Sequence, residues 1–262
     1  MSTQQAETVF LHINERVAHL TLNRPQALNA MDVAMLNELV HKLKEIASNE
    51  DVDVLVLSGS GRGFSSGGDI KTMLSSTDES GFGPVMDTIS ELMTTLYSMP
   101  KLVISAIHGP AAGLGLSFAL SADYIIADRQ SVLAMNFIGI GLIPDGGGHF
   151  FMERRLGEFK AKQAIWEGKQ MSAEEALAIG LIDEVAGEDL QGTVLNKVGA
   201  WLKKPVKAMI QTKSIYSELH LPELKKVLEL EKRGQQVMRH TEDHQEGIRA
   251  FIEKRKPIFM GK

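Results

Sequence analysis

Between Val52 and Ala127 the chain alternates short apolar runs with stretches of helical spacing, and this alternation constrains its fold more than any other feature. Val52 to Leu57, Leu102 to Ile107 and Asp123 to Ala127 read as buried strands, with a helix near Val85 to Tyr97 and another from about Gly113 between them. Strands joined through helical connections run parallel in one sheet, so an α/β architecture is expected. Upstream, Thr8 to Ile13 and Val17 to Leu22 flank the turn-like Asn14-Glu15 and predict a hairpin. Asp32 is placed to cap a helix whose Met35, Leu36, Leu39, Val40 and Leu43 recur at helical spacing. The glycine-rich stretch Gly59 to Gly68 leads into a short predicted helix, and Ser75 to Pro84 reads as a mobile loop.

The last third is different in kind. Ser172 to Glu175 fits a capping box that opens a helix ending near Gly180. From Leu190 onward the pattern is almost wholly helical, with breaks expected at Leu221-Pro222 and His240-Thr241. A final helix from Thr241 carries Ile248, Phe251 and Ile252 on one side. This divides the chain into a core over residues 1–200 and a helical region over 201–262, the latter either an association surface or a plain cap on the core. A length of 262 residues accommodates one large domain with such an appendage.

Composition narrows the functional classes. The chain has no cysteine, which removes disulfides, thiolate metal sites and a cysteine nucleophile together. A net charge of −5 supplies no overall pull on nucleic acid or anionic lipid. Leu102 to Ala122 is long enough to span a membrane and carries no formal charge. Its strand-like first half, the His108-Gly109-Pro110 break and the small-residue run beyond favour a buried strand followed by a buried helix. The first ten residues resemble neither a secretory signal nor a transit peptide, so a cytoplasmic location is expected.

Thirteen of the 24 glycines fall within Gly59 to Gly68, Gly109 to Gly115 and Gly139 to Gly148. Glycine clusters between strands and helices can present main-chain N–H groups to a ligand, so three of them favour a binding site over tight turns alone. They do not match nucleotide motifs: Phe64 and Phe118 stand where the last glycine of Gly-x-Gly-x-x-Gly belongs, and no phosphate-binding Gly-x4-Gly-Lys-Ser/Thr occurs.

Five segments together resemble the crotonase (enoyl-CoA hydratase/isomerase) superfamily. They are Asn23-Arg24-Pro25 with Ala27 to Ala30, Gly63 to Ile70, His108 to Gly115, Ile143 to Gly148, and Glu246 to Arg255. The resemblance implies an α/β crotonase (ClpP-like) spiral of ββα turns with a helical C-terminal trimerisation region. It also implies homotrimers or dimers of trimers. The expected substrates are acyl-CoA thioesters in fatty-acid or related catabolism, coenzyme A being part of the substrate and no cofactor or metal permanently bound.

The same resemblance assigns residues. Main-chain N–H groups of Gly68 and Leu114 are the expected oxyanion hole for a thioester enolate, although Leu114 replaces a glycine often found there. The family's hydratases use two glutamates, and Ser117 and Phe137 occupy the matching positions. Asp145 is the remaining acidic residue of the third glycine window, which favours an isomerase with Asp145 as proton shuttle; capping of the helix through Phe150 to Leu156 is its other reading. A hydratase with relocated acid and base, and an acyl-CoA-binding protein without turnover, are the alternatives. For coenzyme A the resemblance assigns the backbone of Ala27, Leu28, Ser66, Asp69 and Ile70, with Arg24 and Lys71 at phosphates and Phe251 and Lys254 reaching a neighbouring subunit's ligand. Phe82, Met86, Met135 and Phe137 are candidate walls of the acyl pocket. His240 and His244 stand four apart, but with Thr241 as the better N-cap a metal site is not expected.

Overall fold

A computed structural model describes residues 7–69 and 81–262. The hairpin is β1 (Val9–Asn14) and β2 (Val17–Leu22), turned through Glu15 at φ 51°. The chain continues through α1 (Val33–Ser48), β3 (Val54–Gly59), α2 (Phe82–Ser98), β4 (Leu102–Ile107), β5 (Pro110–Ala112), α3 (Leu114–Leu120), β6 (Tyr124–Asp128) and β7 (Val132–Ala134). A 3-10 turn, Phe137–Ile140, then precedes α4 (Gly148–Leu156), α5 (Glu158–Glu167), β8 (Gln170–Ser172), α6 (Ala173–Ala178) and β9 (Glu184–Ala186). Three further helices close the chain: α7 (Leu190–Leu202), α8 (Val206–Arg239) and α9 (Glu242–Glu253).

Six strands form one sheet in the order β1-β2-β3-β4-β6-β9, parallel except for the hairpin. A smaller sheet, β5-β7-β8, stands beyond it. All six residues of β4 are buried because it lies inside the sheet with both faces covered. Leu102 to Ala122 thus divides into strand, short strand and helix, and among the described residues no helix is long and apolar enough to cross a membrane.

Local signals in the sequence operate as expected. Asp32 accepts the Met35 N–H at 2.9 Å, and α1 buries Met35, Leu36, Leu39, Val40 and Leu43 against the sheet. Ser172 and Glu175 form the reciprocal capping box, and Thr241 caps α9. The expected break at Leu221-Pro222 is absent: α8 runs unbroken through Pro222. An interior proline costs about 3 kcal/mol through its lost N–H bond. Packing on both sides of it overrides that cost, because Ser217 Oγ bonds Tyr97 O at 3.1 Å and Leu224 and Leu228 are buried in the core. The short helix expected after Gly68 and most of the Ser75 to Pro84 loop lie outside the described residues; α2 begins at Phe82, inside the expected loop.

Helices beyond residue 201 complete both hydrophobic clusters. Leu224 and Leu228 join the main core, whereas Val206 and Ile210 join a second cluster behind β3, β4 and β6. Tyr97, Phe150 and Phe151 meet with ring centroids 5.2–5.9 Å apart, locking α2 to α4. That contact fixes the start of α4, where the third glycine window ends.

Candidate active site

The three glycine windows converge on one cavity of about 990 Å³. The first window is held beside the second by main-chain bonds: Phe64 N–H donates to His108 O at 2.8 Å, and Ala112 N–H to Ser65 O at 2.9 Å. Gly68 pairs with Met31 in a parallel bridge in which Met31 takes Gly67 O and the Asp69 N–H. This pattern turns the Gly68 N–H away from Met31. Gly67 has φ 100°, and a Cβ there would come within 2.8 Å of Ala112 O and 3.4 Å of Leu114 N. Gly113, at φ 52°, sets the direction of the Leu114 N–H at the start of α3. The peptide segments carrying Gly68 and Leu114 therefore abut.

Leu114 is buried and not part of the cavity lining; its Cδ1 occupies the space a side chain at Gly146 would need, 2.5 Å from an ideal Cβ.

Asp145 lines the cavity, and its Oδ1 is buried without a hydrogen-bond partner among the described residues. Burial, and then the nearby Glu231 charge, push its carboxyl up to about 8. It does not cap α4. Gly147 occupies the N-cap position, and Asp145 offers only its carbonyl, to the Gly148 N–H at 3.1 Å. Ser117 Oγ donates to that same Asp145 carbonyl at 2.8 Å. Thus Ser117 restrains the segment that presents Asp145.

Glu231, only 2% exposed, has no signal in local sequence pattern because its role depends on α8 crossing α4. Its Oε2 accepts the Gly147 N–H at 2.7 Å; its Oε1 accepts the His149 N–H at 3.0 Å and bonds His149 Nδ1 at 2.8 Å. A carboxylate from another helix so replaces the missing side-chain cap of α4. Asn29, fully buried, is a second residue that pattern alone does not identify. It donates to Ser60 O, Gly63 O and Phe64 O and accepts the Arg24 N–H, fastening the first window to the Pro25–Ala27 turn.

The coenzyme A candidates separate. Ala27, Leu28, Ser66 and Asp69 line the cavity together with Gly68. Arg24 lines it too, but its guanidinium is held by Asp69 at 3.0 Å and Asp32 at 3.2 Å. Arg62 is an exposed lining cation without an ion pair among the described residues. Phe251 lines the cavity at 58% exposure, whereas Lys254 follows α9 as its C-cap and is not part of the lining. Ile70 and Lys71 lie outside the described residues. Among the proposed acyl walls, Phe137 lines the cavity, Met86 and Met135 are buried in the core, and Phe82 packs under Arg239. His244 bonds Ile140 O through Nδ1 at 2.7 Å, and among the described residues no three His, Cys, Asp or Glu side chains converge as a metal ion would require.

Residues 12–262 match the family model described as Enoyl-CoA hydratase/isomerase. A Bacillus subtilis (strain 168) protein named as a candidate enoyl-CoA hydratase/isomerase, YhaR, is 52% identical over 248 residues, covering 94% of this chain and 96% of its own. The 1,2-epoxyphenylacetyl-CoA isomerase of Escherichia coli (strain K12) is 33% identical over 98% of this chain and 99% of its own. Among solved structures, an enoyl-CoA hydratase from Mycobacterium avium subsp. paratuberculosis K-10 superposes with a TM-score of 0.87 at 30% identity, covering 97% of this chain and 99% of that one. The cavity, the fold and these similarities lead to one conclusion: this chain belongs to the enoyl-CoA hydratase/isomerase family of the crotonase superfamily.

Proposed function

We propose that the chain is an enoyl-CoA isomerase that moves a carbon–carbon double bond with Asp145 as its proton shuttle. The observation that carries this reading is the Asp145 carboxyl, whose buried Oδ1 has no hydrogen-bond partner among the described residues, in the same cavity as Gly68 and next to Gly146, against which Leu114 Cδ1 packs. Hydration needs one group to activate water and another to deliver a proton, and the two positions where family hydratases carry glutamates hold Ser117, bonded to Asp145 O, and Phe137.

The reaction balances with one carboxylate. Asp145 takes a proton from C2 of a 3-enoyl thioester; the C2–H electron pair becomes the C1=C2 bond of a dienolate that keeps its C3=C4 bond, and the C1=O π pair moves onto the thioester oxygen, which gains charge. On return of the proton to C4 the C1=C2 pair becomes the new C2=C3 bond. The Gly68 and Leu114 N–H groups stabilise that oxygen, each donor contributing about 2.7–4 kcal/mol in comparable sites. Asp145 returns the proton to C4 as the carbonyl re-forms, leaving a 2-enoyl thioester. A carboxyl raised to about 8 is basic enough once ionised to take a carbon-bound proton whose acidity the oxyanion hole has increased.

Ala27, Leu28, Ser66 and Asp69 form the track for the coenzyme A arm, with the exposed Arg62 near its phosphates; Arg24 braces the track through its two carboxylates. Assembly into homotrimers or dimers of trimers is part of the proposal and is supported by the exposed Ile215, Tyr216 and Leu219 along α8. Offering purified protein a 3-enoyl-CoA and a 2-enoyl-CoA, and identifying products by proton NMR, tests the reading. Double-bond migration without net water addition is expected; rapid hydration of the 2-enoyl thioester without migration would sink it.

A further inference from the structure

Arg239 ends α8 in the wall of the cavity, half-buried, with its guanidinium carbon 4.4 Å from the Phe82 ring centroid at the start of α2. It has no ion pair among the described residues, unlike Arg24. Its cavity neighbours include Ile140, Leu142, His244 and Ile248, none of them acidic. His244 is held below the ordinary imidazole value by burial first and by the Arg239 charge last, and its Nδ1 is engaged by Ile140 O.

The acidic lining residues are Asp69, which is paired with Arg24, and Asp145. Asp145 forms no ion pair with Arg239 among the described residues, and its Oδ1 has no hydrogen-bond partner among them. Glu231, which anchors the Asp145 segment, lies eight residues before Arg239 on the same helix, or roughly 12 Å along its axis. The cavity thus holds both the Asp145 carboxyl and a guanidinium that is backed by an aromatic ring and has no ion pair among the described residues.

We propose that this cavity selects thioesters whose acyl group ends in a carboxylate, and that Arg239 is the residue that receives it. The inference rests on the acyl-CoA reading of the cavity and adds the substrate class. A guanidinium offers a carboxylate two parallel N–H bonds, and the stack on Phe82 holds its plane before the ligand arrives. Coenzyme A phosphates are the other anions that could meet this group.

Binding of saturated thioesters needs no turnover and distinguishes these cases. By calorimetry the wild-type chain is expected to bind adipyl-CoA or suberyl-CoA about ten-fold more tightly than hexanoyl-CoA or octanoyl-CoA. Arg239→Met is expected to abolish that preference and Arg239→Lys to retain part of it. No preference in the wild type overturns the proposal, and that comparison stands even if the variants fail to fold. Equal weakening of free CoA and adipyl-CoA in Arg239→Met also overturns it, assigning the guanidinium to a phosphate. A wild type that prefers adipyl-CoA but moves no double bond would refute the isomerase and leave this inference standing. If no acyl-CoA binds, both readings fall.

Discussion

Asp145 works against stability where it would work for catalysis. Its folded-state pKa of about 8 lies above the ordinary 3.8, so the folded chain holds a proton that the unfolded chain releases. This contribution to stability is greatest below pH 4, declines as pH rises and levels off above about 8, where the buried carboxylate is charged in both states. Asp145→Asn should therefore raise the thermal midpoint and add an amount on the order of 1–3 kcal/mol to the unfolding free energy at pH 8.5 and less at pH 5, measured by calorimetry at both values. Glu231→Gln separates charge from geometry. Removing its negative charge should shift the acid limb of kcat/KM to lower pH, because Asp145 loses the second cause of its raised pKa. The same substitution puts an amide donor opposite the Gly147 or His149 N–H, at a cost of about 1–3 kcal/mol in denaturant unfolding. An unshifted pH profile with lowered stability would reduce Glu231 to a structural brace.

At the scale of elements, the site is a junction of loops held by helices that are distant in sequence. Strands β1 to β4 and β6 were readable as short apolar runs, and β4 matches its expected Leu102–Ile107 bounds, whereas the three-residue strands β5, β7, β8 and β9 are too short to stand out in the sequence. The continuity of α8 through Pro222 was not readable, because local preference predicts a break and only the packing of Ser217, Leu224 and Leu228 overrides it. Glu231 was unreadable for the same reason: a glutamate on an apparently solvated helix becomes a cap only when α8 crosses α4. Gly146 has a packing role that its place in a glycine run does not disclose. At φ 62°, with Leu114 Cδ1 2.5 Å from an ideal Cβ, Gly146→Ala should cost about 1–3 kcal/mol in unfolding free energy and lower kcat more than it changes KM, since it displaces both Leu114 and Asp145. A variant with native stability and kcat would contradict the tight fit between the second and third glycine windows.

For the whole molecule, the sequence motifs carried the family and most of the cavity lining, but not how its arginines are paired. Arg24 belongs to a motif that reads as ligand-binding, but its guanidinium bonds Asp32 and Asp69; Arg62 and Arg239 reach the same cavity from segments chosen by the fold. The exposed apolar side chains of α8 predict assembly. Sedimentation should give three or six times the 28.7 kDa chain, and Leu219→Glu should shift the distribution toward smaller species; a monodisperse wild-type monomer would contradict the proposed trimer. The proton-shuttle chemistry is tested by kcat/KM for the conversion of 3-hexenoyl-CoA to its 2-enoyl isomer by wild type and Asp145→Asn at pH 8.5. Loss of the shuttle should lower the rate by about 10²–10⁴-fold while the variant remains folded and binds hexanoyl-CoA. An unchanged rate in a folded Asp145→Asn protein would remove Asp145 from the mechanism.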